Sequence, residues 1–176
     1  MASTPITSDD SARPLRPTSP QPSPTTTGGD GSGAPDRGAP PLARRLSHLG
    51  VAVEDLEAAI ELYGRVLGLP LARRWVAEAD GIEVASFRAG DLEIELMRPL
   101  DETSPVARFL ARRGAGLHHV AFEVEDVGSA LERARAAGLE SVDEHPRPGG
   151  GGRTQVAFLH PRSTLGVLME LEAHAG

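Results

Sequence analysis

Two stretches of this chain each set a histidine into an alternating apolar run and follow it with a glutamate in a later run of the same kind. The first is Ser47-His48-Leu49-Gly50-Val51-Ala52-Val53, with its glutamate in Ile94-Glu95-Leu96. The second is His118-His119-Val120-Ala121-Phe122-Glu123-Val124, with its glutamate in Met169-Glu170-Leu171. Two imidazoles and two carboxylates suit a divalent ion of intermediate hardness, such as Zn, Co, Mn, Ni or Fe(II). An octahedral ion with four such ligands keeps two positions for water or substrate, which is a catalytic arrangement rather than a closed structural one.

The four side chains converge only if their strands aim them at one surface. Side chains alternate faces along a strand. His48 shares its face with the small residues Gly50 and Ala52, against Leu49, Val51 and Val53. His119 shares its face with Ala121 and Glu123, while Glu95 and Glu170 oppose their apolar neighbours. All four are therefore predicted to point away from a helix-covered core and into a cleft. His118, one residue from His119, is predicted to face the core. His145, His160 and His174 show no repeat symmetry and are read as structural.

The elements that must position these residues also recur. Leu46 to Val53 reads as a strand. Asp55 is a plausible helix N-cap, and Leu56, Ala59, Ile60, Tyr63, Val66 and Leu67 follow at helical spacing up to Gly68. Strands are predicted near 71–77, 83–88 and 92–97. A connector over 99–116 holds a short helix begun by Ser104-Pro105. The pattern then restarts: a strand over 117–124, a helix over about 126–137, and strands near 139–145, 154–160 and 166–172. The fold class is α+β, two paired βαβββ modules (about 46–98 and 117–173) whose strands curl into one sheet around a cleft. The glycine run 149–152 lacks the spacing and the lysine of a phosphate loop and is read as a turn.

Composition bounds the rest. Residues 1–42 hold nine of the fifteen prolines among Ser, Thr and Gly, and are predicted to be a disordered tail ahead of a single domain over 43–176. The tail lacks the apolar stretch of a signal peptide, and no run is long enough to span a membrane. The chain has no cysteine and no lysine, which excludes thiolate ligands, disulfides and Schiff-base chemistry. A net charge of −7 with few aromatics argues against nucleic acid. The expected location is the cytoplasm.

The motifs resemble the vicinal oxygen chelate superfamily and, within it, the methylmalonyl-CoA epimerases. The resemblance covers about residues 46–172. It is carried by the two histidine strands, by Ile94-Glu95-Leu96-Met97-Arg98-Pro99-Leu100, by the connector Asp101 to Leu110, and by Phe158-Leu159-His160-Pro161-Arg162-Ser163-Thr164. It implies metal ligation by His48, Glu95, His119 and Glu170, with Co2+ the first expectation and Mn2+, Zn2+, Ni2+ or Mg2+ as alternatives. It implies a homodimer acting on methylmalonyl-CoA, inverting C2 by proton abstraction through a metal-stabilised enolate. Inversion needs a proton-transfer group on each face of the carbon. Glu170 is carried over as the first. Part of the family places the second as a glutamate three residues after a glycine. That glycine matches Gly81, but the position holds Val84. Glu83 is one residue early and reaches the cleft only if a bulge reverses its direction. Alternatives are a glyoxalase I-like isomerase of a glutathione hemithioacetal, an extradiol dioxygenase, and a non-enzymatic small-molecule-binding protein of the same fold.

Overall fold

The computed structural model describes residues 40–174. The predicted tail over 1–42 lies, apart from its last three residues, outside the described residues. The elements are β1 (Arg45–Ala52), α1 (Leu56–Ile60) continuing as a π-helical turn (Glu61–Val66), β2 (Leu71–Ala77), β3 (Ile82–Ala89), β4 (Leu92–Pro99), α2 (Pro105–Arg113), β5 (Gly116–Glu123), α3 (Val127–Ala136), β6 (Arg147–Gly149), β7 (Thr154–Leu159) and β8 (Met169–His174). Among the described residues no helix is long and apolar enough to cross a membrane.

The eight strands form one sheet in the order β2-β3-β4-β1-β5-β8-β7-β6. Each half is a βαβββ module whose first strand pairs in parallel with its last, β1 with β4 and β5 with β8. The modules meet where β1 runs antiparallel to β5. The connector helix α2 begins as expected, with the Ser104 hydroxyl accepting from the Val106 N–H and Pro105 in the first turn. Asp55 and Asp126 cap α1 and α3 through their carboxylates, each satisfying a helix-end donor that would otherwise be orphaned.

The alternating faces separate as the sequence predicted. Val51, Val53, Ile94 and Leu96 pack with Phe87 against α1. Val124, Ala157, Leu159 and Leu171 pack against α3. The opposite, concave face carries Ala52, Ile82, Val84 and Met97, which meet Val106 of α2.

Two elements differ from expectation. Val66 and Leu67, predicted on the apolar stripe of the first helix, are 65% and 58% exposed. The chain there is a π turn, closed by the Leu67 N–H to the Leu62 carbonyl, and its extra residue rotates both side chains off the buried stripe. Over 139–145 the predicted strand is reduced to a single bridge, Ser141 with Leu159. Asp143 explains this: its Oδ2 accepts from the Phe158 N–H at 2.7 Å, so a side chain takes the place of a ladder carbonyl, and Pro146 beyond it has no N–H to offer.

Phe87 is fully buried between the sheet and α1. Phe87→Ala is expected to lower unfolding stability by about 3–5 kcal/mol, read as a lower urea midpoint.

Candidate metal centre

The β1–β5 seam places the histidines. Its pairing is Leu46 with Phe122, then His48 with Ala121, so Ser47 is an extra residue on β1. Further along, Gly50 faces His119 and Val51 faces Leu117, so His118 is an extra residue on β5. A bulge residue interrupts the alternation and re-aims its neighbours. Ser47 and His48 consequently line one cavity together, and His118 and His119 line another. The expectation that His118 faces the core therefore does not hold: the bulge turns it to the cavity, where its ring packs edge-on to Phe109.

His48, His119 and Glu170 are 5%, 4% and 5% exposed. Their ligand atoms all lie within 4.8 Å of one another. His48 Nε2 is 3.1 Å from His119 Nε2. The Glu170 Oε2 is 3.0 Å from His119 Nε2 and 3.5 Å from His48 Nε2. Glu95 Oε2, from the last strand of the same module as His48, approaches His48 Nε2 at 3.7 Å. Donor atoms bound at about 2.0–2.2 Å to one ion, at right or tetrahedral angles, stand about 2.8–3.6 Å apart. The spacing and the N/O donor set both fit a divalent ion, so the cluster can bind a metal.

The electrostatics show how strongly these groups feel one another. Burial pushes the His48 imidazole down, but Glu95, Glu170 and Glu172 around it prevail and hold it well above the ordinary histidine range. Burial pushes the Glu170 carboxyl up, and the hydrogen bonds from His119 and His48 more than reverse this, leaving it far below the usual carboxylate range. Glu95 goes the other way, raised chiefly by burial. His118 is pushed down to about 4 by burial and by its neighbour His119.

Glu83 is not brought to the cluster. The β3–β4 register runs past it without a bulge, Ile82 with Pro99, Glu83 with Arg98 and Val84 with Met97. Its side chain stays on the convex face, 2.7 Å from both Arg74 and Arg98. The same arginines hold its carboxyl below the ordinary value. Val84, on the concave face, presents only methyl groups to the cavity.

Two chambers meet at the cluster, sharing Glu95 and Glu170. One, of about 160 Å3, has apolar walls from Trp75, Ile82, Val84, Met97 and Phe158. The other, of about 460 Å3, is polar and includes Arg73, Arg88, Arg153 and Thr154. The predicted glycine turn is present between them. Arg73 donates to the Gly150 carbonyl at 3.0 Å, and Gly151, at φ +68°, sits so close to the Trp75 ring that a Cβ there would be 2.8 Å from it. Sequence reasoning missed one residue of the site, Glu172. It lies two positions after Glu170 on the same strand, so strand alternation was the available signal.

Comparison with known proteins gives a consistent picture. The pattern of the Glyoxalase/Bleomycin resistance protein/Dioxygenase superfamily matches residues 47–158. The chain is 39% identical over 130 residues to the ethylmalonyl-CoA/methylmalonyl-CoA epimerase of Cereibacter sphaeroides, covering 73% of this chain and 96% of that protein. It is 36% identical over 129 residues to the mitochondrial methylmalonyl-CoA epimerase of Homo sapiens, covering 73% of each. The fold matches the crystal structure of methylmalonyl-CoA epimerase from Mycobacterium tuberculosis with a TM-score of 0.74 at 37% identity, over 78% of this chain and 93% of that one.

The close approach at Gly50 yields a direct check. A Cβ on Gly50 would lie 2.2 Å from the His119 ring. Gly50→Ala is expected to displace that imidazole and weaken Co2+ binding by at least about 10-fold while far-UV circular dichroism stays unchanged. Isothermal titration of the purified variant reads the loss.

Proposed function

Since the chain belongs to the Glyoxalase/Bleomycin resistance protein/Dioxygenase superfamily, we propose that it is a metal-dependent epimerase interconverting (R)- and (S)-methylmalonyl-CoA. The convergence of His48, His119 and Glu170 on the concave face, with Glu95 beside them, carries this reading. The epimerase relatives at 36% and 39% identity support the substrate class.

In this reading His48, His119, Glu170 and Glu95 hold the ion. A divalent ion there, Co2+ in the first instance, supplies Lewis acidity to the carboxylate and thioester oxygens that gain charge when C2 loses its proton. The apolar chamber walled by Val84, Met97 and Phe158 receives the acyl group and keeps bulk water from the reacting carbon. Glu170 takes the proton. Val84 and Glu83 offer no second base to the cavity, and Asp80 and Asp143 in its wall are paired with Arg147, so Glu95 is the carboxylate assigned to the opposite face. Its Oε2 stands 3.7 Å from His48 Nε2, and Glu95 and Glu170 both lie where the two chambers meet.

The test is deuterium exchange at C2 of methylmalonyl-CoA in D2O with Co2+ supplied. Exchange and inversion are expected, with no turnover of the methylglyoxal–glutathione hemithioacetal. A folded, Co2+-loaded protein that leaves C2 unlabelled rejects the reading. Glu170→Gln is expected to slow exchange by about 100-fold or more, and His119→Ala to lose metal and exchange together. Glu83→Gln is expected to leave the exchange rate within about 2-fold of the parent, since a base within reach would be worth about 100-fold. A large loss in that variant would restore Glu83 as a base.

A further inference from the structure

Each of the two clustered imidazoles has a second ring nitrogen, and the structure gives each a different partner. His119 Nδ1 is 3.0 Å from Nδ1 of His118. His48 Nδ1 is 3.4 Å from Oε1 of Glu172. That same Oε1 accepts a hydrogen bond from the Ser47 hydroxyl. Ser47 and His118 are the two bulge residues of the seam. So each bulge turns in a side chain that supports its neighbouring histidine, directly in one module and through a carboxylate in the other. The two modules share one strand order. In the first, the strand position matching Glu172 is Met97, which lines the apolar chamber.

We propose that Glu172, anchored by Ser47, is a positioning residue for His48: it accepts the Nδ1 proton, fixes that tautomer and ring angle, and so directs the Nε2 lone pair into the cluster. The proposal rests on the metal-centre reading. A carboxylate behind a ligand imidazole also makes the ring a stronger donor, whereas the imidazole of His118 behind His119 brings no negative charge when neutral. The two histidines are thus unequal ligands, with His48 the stronger. Glu172 and His48 line the polar chamber, so this support stands on the side away from the apolar walls.

The experiment uses the full chain after removal of metal by chelator and dialysis. Co2+ is titrated by its visible absorption, and the imidazole N–H protons of the Zn2+-loaded protein are followed by NMR. Glu172→Gln keeps the size of the side chain and removes its charge. It is expected to weaken Co2+ binding by about 10–100-fold and to move the His48 Nδ1–H resonance upfield, with the His119 resonance in place. Ser47→Ala removes only the anchor and is expected to show a smaller loss in the same direction, which keeps the proposal testable if Glu172→Gln folds poorly. Co2+ binding within about 2-fold of the parent in both variants, against the 10-fold floor expected for an outer partner, with an unmoved His48 resonance, overturns the proposal alone. A parent protein that binds no Co2+ overturns it together with the metal-centre reading.

Discussion

The site depends on the antiparallel pairing of β1 with β5. It is the only place among the described residues where the modules share a strand ladder, and it brings His48 and His119 close enough for their Nε2 atoms to stand 3.1 Å apart. Gly50 makes the approach feasible because the His119 ring occupies the space a side chain would fill. The parallel partners β4 and β8 then deliver Glu95 and Glu170 from either side. Burying two carboxylates and two imidazoles costs several kcal/mol per charge in desolvation, so such a group persists only when its members compensate one another. Glu170 and Glu95 answer that burial differently: hydrogen bonds from both histidines hold the Glu170 carboxyl low, while burial outweighs the neighbouring histidines at Glu95 and raises it.

Much of this was legible in the residues. Strand alternation separated His48, Glu95, His119 and Glu170 from the helix-facing apolar residues, and the structure keeps that division. The duplicated βαβββ order was visible because each module restarts with the same strand-to-helix pattern. The misread positions share a cause. His118 needed knowledge of a bulge, which is a property of two paired strands rather than of one. Val66 and Leu67 sit beyond a π turn that helical spacing does not announce. The missing strand near 143 reflects a side chain, Asp143, reaching a backbone group that an alternating pattern assigns to a ladder.

Glu83 and Glu172 teach opposite lessons about carboxylates on strands. Glu83 had a functional expectation attached, yet an unbroken register leaves it between Arg74 and Arg98 on the convex face. Glu172 had none, yet alternation from Glu170 was enough to bring it behind His48. Parity, applied evenly to every acid on the sheet, separates the two more reliably than motif position does. The walls of the two chambers follow the same rule, since the concave residues of β3 and β4 are apolar at Ile82, Val84 and Met97 and acidic at Glu93 and Glu95.

The paired bulges also fix how the seam tolerates change. Ser47 adds one residue to β1 and His118 adds one to β5, so the two offsets cancel and only the pairs from His48 to Gly50 are shifted relative to the rest of the ladder. Each extra residue is accommodated between pairs that stay in register on either side, so removing it would straighten its strand without re-pairing the seam. Both imidazoles would keep their face, but the side chains that the bulges turn in beside them, Ser47 and His118, would be gone. The bulges are therefore where the sheet can gain or lose a residue beside the metal centre without refolding, and where the surroundings of the two histidines are most open to change in a lineage built on this fold.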